Sequence, residues 1–275
     1  MPLARLKSVA GVRIPDTGLC NAAVDLLESC SPAFLCSHCL RTYIFGSLAV
    51  RGIGRSVVDE EAAFCGAVLH DLGLVPPYRG DSRFEVDGAE AARDFCVNHQ
   101  VSPERADVVW QAVALHTSPG IPTRLAGEIA LVHLGAGLDF LGLGLDQVPP
   151  QMLEEILEKY PRMSFKAEFK NLLVSHCLHN PAAQVLNWTD DVARTAGCTL
   201  HGQPIPTATQ IMSAAPFDEY LDGFPARIAM KPTSALWNGA RRQRRAHTHR
   251  AASLSTQHDR GSMMVESIYH PAESA

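Results

Sequence analysis

No uninterrupted apolar run in this chain reaches the ~18 residues a membrane-spanning helix needs, so no membrane partner is expected. Nor does the opening Met1-Pro-Leu-Ala-Arg-Leu-Lys7 lead into the apolar segment of a secretory leader. Gly-Lys-Ser and Gly-Lys-Thr are absent, and Gly135-Ala-Gly137 follows no strand signal, so a phosphate-cradling loop is not expected there. Candidate strands are few and no internal repeat is visible, which points away from sheet-based and solenoid architectures. A second Cys or His pair to match Cys36-x-x-Cys39 at zinc-ribbon spacing is also lacking.

The 275 residues, 46% apolar and 19% charged, suffice for one large domain or two small ones. The net charge of −5 is unevenly spread. Residues 226–275 hold eight Lys or Arg against three Asp or Glu, a balance of +5, which leaves −10 on residues 1–225. An acidic body does not draw polyanions by its field, so no specific nucleic-acid partner is expected. The basic run Arg241–Arg250, in a Pro-containing, weakly periodic extension from 201 to 275, reads as a disordered tail. The eight cysteines are scattered through apolar helical patterns, as buried free thiols of a reducing, cytoplasmic protein would be.

Residues 1–200 read as successive helices: about 21–29, 33–52, 60–71, 88–98, 102–116, 123–140, 151–159, 164–179 and 182–196. Asp59 suits an N-cap, and Asp87 with Glu90 reads as the capping start of the helix from Gly88. The helix over 33–52 is apolar nearly all round, which makes it central and places His38 on a buried element. Taken alone, such a histidine is more often a bonded core residue than a ligand. The next helix is apolar and small-residued, Glu61-Ala-Ala-Phe-Cys-Gly-Ala-Val-Leu69, and runs into His70-Asp71 before Gly73 and Pro76-Pro77 stop it. An imidazole and a carboxylate delivered together at a buried helix end call for a partner, and a divalent ion accepts both. His116 ends a further apolar helix ahead of Thr117-Ser118. It suits either acid–base work or simple stabilisation of the helix C-terminus. Phe84 and Glu85 follow the dyad in a polar loop that could wall a pocket, with core anchoring and a solvated charge as the alternatives. His133 reads as a core histidine, with an extra metal ligand or a pocket residue as the alternatives.

His38, His70-Asp71 and a later aspartate in this order resemble the HD-domain superfamily of metal-dependent hydrolases and lyases. Ser37-His-Cys-Leu-Arg-Thr-Tyr-Ile-Phe-Gly46, Arg83-Phe-Glu-Val-Asp-Gly-Ala89, Ala114-Leu-His-Thr-Ser118 and Gly135-Ala-Gly-Leu-Asp139 are similar to segments of its cyanamide-hydratase-like branch. The resemblance spans roughly residues 10–195. It implies an all-α helical bundle with a central metal site, His38, His70, Asp71 and Asp139 as ligands (Asp146 being a nearby competitor for the last), and one divalent ion: zinc, or iron or manganese. It further implies Asp71 and His116 in catalysis, and Phe84, Glu85, Thr117 and Arg41 about a small-molecule substrate. The implied reaction adds metal-activated water to a small nitrile such as cyanamide, giving urea. Phosphohydrolysis of a nucleotide or other phosphate ester, and a non-catalytic binding module, are the alternatives, and a homo-oligomer remains open. The segments flanking the proposed ligands are poor in Lys and Arg, which favours a neutral substrate over a phosphate.

Overall fold

The computed structural model describes residues 6–214, so the tail expected to be disordered, with its basic run, lies outside the described residues. Within them the chain is an all-α bundle edged by two short antiparallel hairpins, β1 (Ser8–Val9) with β2 (Val12–Arg13) and β3 (Thr199–Leu200) with β4 (Gln203–Pro204). The helices are α1 (Gly18–Cys30), α2 (Ala33–Gly52), α3 (Glu60–Leu69), α4 (Phe84–Asn98), α5 (Pro103–Leu115), α6 (Gly127–Leu141), α7 (Pro150–Lys159), α8 (Phe165–His179), α9 (Asp190–Thr195) and α10 (Ala208–Ser213).

Helix α2 is the axis of the bundle. It is the helix among the described residues with the length and apolar composition to cross a membrane, yet 78% of that stretch is buried inside the protein. A helix apolar on every side is satisfied when neighbours cover every side, and α2 packs on α1, α3, α6 and α8. Its closest approach is to α6, where two glycines remove the side chains that would hold the backbones apart. A Cβ on Gly135 would run into the Thr42 carbonyl oxygen, and one on Gly46 into that of Leu131. Gly135→Ala is therefore expected to destabilise the fold by about 1–3 kcal/mol or more in urea unfolding. Gly137→Ala, whose methyl would meet only the Leu143 side chain at 3.5 Å, should unfold close to wild type.

Asp59 caps α3 as expected, its carboxylate accepting from the Ala62 amide at 3.0 Å. Helix α4 differs from the expectation. It starts at Phe84 rather than Gly88, so Asp87 is not its cap. Glu85 and Asp87 instead occupy its first turn, where the helix dipole favours acids, and Asp87 accepts the Gly80 amide at 2.9 Å, tying down the preceding loop. The expected helix over 123–140 begins only at Gly127, after a 3-10 turn at Pro122–Arg124. The expected helix over 182–196 is broken. A 3-10 turn at Pro181–Gln184 is followed by Leu186 in the left-handed region at φ 58°, and α9 begins at Asp190. That break carries Trp188 back toward the centre. Part of the stretch from 201 onward is also folded, since Ile205 is 1% exposed and packs with Cys177, Ala193 and Cys198.

Candidate metal centre

Two helices that meet at the middle of the bundle deliver three polar side chains into an apolar setting. His38 projects from α2, and α3 stops at His70 so that the backbone can turn. Asp71, at φ −103° and ψ 11°, then leaves the helical direction, which brings two consecutive side chains to one point. All three are 1% exposed. His38 Nε2 and His70 Nε2 are 3.3 Å apart, and Asp71 Oδ2 lies 3.4 Å from the first and 3.2 Å from the second.

Hydrogen bonds on the far sides of the rings fix the tautomers. His70 Nδ1 donates to the Ala67 carbonyl at 2.8 Å and His38 Nδ1 to Asp139 Oδ2 at 2.6 Å. Both Nε2 lone pairs therefore point at each other and at the carboxylate. Neither oxygen of the buried Asp71 has a hydrogen-bond partner. Burial pushes that carboxyl up, but His70, His38 and His116 outweigh it and hold it at about 2, so it is an anion. Two facing lone pairs and an orphaned buried anion are an unfavourable arrangement unless a cation joins them.

The size of the triangle fits one. Ligand atoms held about 2.0–2.1 Å from a single ion at tetrahedral angles lie about 3.3–3.4 Å apart. His38, His70 and Asp71 form the potential metal-holding group among the described residues. Two imidazoles and a carboxylate suit zinc, iron or manganese, and three protein ligands leave open positions, the pattern of catalytic rather than structural sites.

The structure does not bring Asp139 to this group. Its carboxylate stands behind the His38 ring, and its oxygens are taken: Arg41 Nε and Nη2 donate to Oδ1 at 2.8 Å and Oδ2 at 2.7 Å, and Arg162 donates to Oδ1 at 2.9 Å. Burial raises the Asp139 carboxyl, yet Arg41 and His38 hold it well below its ordinary range. It stands where it orients the His38 imidazole through Nδ1. Arg41 is likewise not at the substrate side. Fully buried, it spends its remaining nitrogen on the Tyr160 and Pro161 carbonyls at 2.9 and 3.0 Å. Asp146 lies exposed in a turn and bonds Gln147, outside the centre.

His116 ends α5 with its ring 4.8 Å from that of His70, and its Nε2 is 3.8 Å from Asp71 Oδ1. Nδ1 donates to the Val113 carbonyl at 2.6 Å, so Nε2 faces the centre as an acceptor. Burial, with His70, pushes this imidazole down to about 4. Thr117 donates its hydroxyl to Glu85 Oε1 at 2.6 Å, and the same oxygen accepts from Trp188 Nε1 at 2.8 Å and Arg83 at 2.9 Å. Glu85 is fully buried behind the wall and does not line the pocket. Its role is to hold Thr117 and Trp188 in place. Glu85→Ala would leave both donors without an acceptor, at a cost of about 1–3 kcal/mol each where they stay buried, and acrylamide quenching of tryptophan fluorescence should rise.

The centre opens into a cavity of about 310 Å³. Phe84, His116 and Thr117, singled out in the sequence, line it. So do His133, which donates from Nδ1 to the His116 carbonyl at 2.7 Å, and Phe140, Phe169 and Trp188, for which the sequence carried no local signal. His176 is fully buried beside Phe84 with no partner on either ring nitrogen, and burial pushes it down to about 4, so it is neutral. Cys36 and Cys39 are buried and not joined in a disulfide.

Fold and centre together describe a helical bundle built round three buried side chains that could hold a divalent ion. The family model of the HD domain matches residues 35–136, from α2 to near the end of α6, and this supports the HD-domain superfamily. HD domains bind divalent metals, and their presence implies metal-dependent hydrolase-type activity. No curated protein matches the chain.

Proposed function

We propose that this protein is a metal-dependent hydratase that adds water to the carbon of a small nitrile, cyanamide being the simplest substrate, with urea as product. The observation that carries this reading is that, among the described residues, no lysine or arginine lines the cavity at the His38, His70 and Asp71 cluster. A phosphate ester brings at least one negative charge into a site, and anion sites supply fixed cations or amide donors for it. The arginines nearest the cluster in sequence are committed elsewhere: Arg41 to Asp139, Arg79 to the Leu74 carbonyl and Ser175, Arg83 to Glu85. A neutral substrate asks for none.

A bound divalent ion would supply Lewis acidity that lowers the pKa of water. Everything else falls to the chain. His38, His70 and Asp71 would hold the ion. Asp139 and Ala67 keep both imidazoles in the ligating tautomer. His116, neutral at physiological pH, presents Nε2 to take a proton from the water and return it to the nitrile nitrogen. Overall a carbon–oxygen double bond forms, the carbon–nitrogen bond order falls from three to one, both O–H bonds of the water break, and both protons end on nitrogen, with no change of oxidation level. The Thr117 hydroxyl is a committed donor, so its oxygen lone pairs are left to accept from a substrate N–H.

The HD-domain match favours a second reading, a phosphohydrolase. The two separate on turnover. Urea formed from cyanamide by the metal-bearing full chain supports the hydratase. Phosphate released from a nucleotide panel, with no urea formed, would replace it.

A further inference from the structure

We infer that the preferred substrates of this site carry an apolar arm of about the size of a phenyl ring beside the reacting group. The inference rests on the hydratase reading for the reacting end alone. Cyanamide is smaller than a leucine side chain, whereas the cavity of about 310 Å³ is at the lower end of the ~300–1,000 Å³ typical of pockets for drug-sized ligands. The polar groups gather at one end, with the metal cluster, His116 and Thr117. Rings continue the lining from there: Phe169 stands 5.6 Å from the His38 ring, and Phe140 lies 5.1 Å from Phe169 and 6.2 Å from Trp188, centroid to centroid. Trp188 is not free to swing aside, because its indole N–H is bonded to the buried Glu85 carboxylate at 2.8 Å. Leu141 and Leu143 form the mouth and are 64% and 62% exposed. A preorganised aromatic wall leading from a polar floor to an apolar rim is complementary to a neutral molecule with a polar head and an apolar arm. Cyanamide would fill the floor and leave the wall unused.

The test compares benzamide with urea as unreactive product pairs, titrated calorimetrically into the metal-bearing full chain, alongside turnover of benzonitrile and cyanamide. Benzamide should bind at least about tenfold tighter than urea. Leu143→Asp, an exposed position where folding is not at issue, and Phe140→Ala should each remove most of that advantage. Tight benzamide binding with neither nitrile hydrated keeps the apolar-arm inference and overturns the hydratase reading. Hydration of cyanamide with benzamide bound no tighter than urea does the reverse. Benzamide binding that is absent, or unchanged in both variants, overturns the inference.

Discussion

His70→Ala is expected to yield a folded protein that has lost its metal and its turnover together. An outer-shell partner of a metal site typically costs about 10–100-fold in affinity or activity when removed, and a direct ligand costs more. The loss here is compounded by geometry. His70 is one corner of a triangle whose sides are 3.2–3.4 Å, and deleting it leaves His38 and Asp71 too few to hold an ion firmly. The fold should survive, because His70 lies beyond the last residue of α3 and its one protein hydrogen bond at Nδ1 is to a carbonyl one turn back. Metal quantification, circular dichroism and activity on one preparation check this. Retained metal with lost activity would move His70 from ligand to another role.

Arg41→Met should be the most destabilising change near the centre that touches neither metal nor pocket. Arg41 is fully buried and makes two bonds to Asp139 and two to the Tyr160 and Pro161 carbonyls. Removing one partner of a buried pair leaves an uncompensated charge, a loss of about 3–5 kcal/mol. Arg162, still bonded to Asp139, keeps the figure at the lower end. Burial and ion pairing act oppositely here, so the double variant Arg41→Met, Asp139→Leu should recover much of the stability. It should still bind metal weakly, because His38 Nδ1 then has no carboxylate to fix its tautomer. Urea unfolding of the three proteins, with metal content measured on each, separates the two effects.

What was legible in the sequence follows from how local each feature is. The His38 helix and the His70-Asp71 helix end are written in runs of apolar residues and in the breakers behind them, so their meeting in the bundle could be anticipated. Asp139 and Arg41 could not be assigned in this way. Arg41 stands one turn from His38 and Asp139 lies on the glycine-lined α6, which places both near the centre, but sequence spacing does not say on which side of an imidazole ring a carboxylate stands. The close contact of α2 with α6 puts it at Nδ1. Glu85 was read within a loop because Gly88 looked like the helix start, whereas burial of Phe84 and Glu85 draws the first turn of α4 inward. The far wall was invisible for another reason. Phe140, Phe169 and Trp188 come from three distant stretches, and Trp188 reaches the pocket only because the chain breaks at Leu186.

The measurement that bears most directly on the centre is metal content and cyanamide hydration in one preparation of the full chain, purified without added metal. About one equivalent of a divalent ion together with urea formation, both lost in His70→Ala, is the predicted result. A folded protein that binds no divalent ion, even when one is supplied, would contradict the reading of His38, His70 and Asp71 as its ligands.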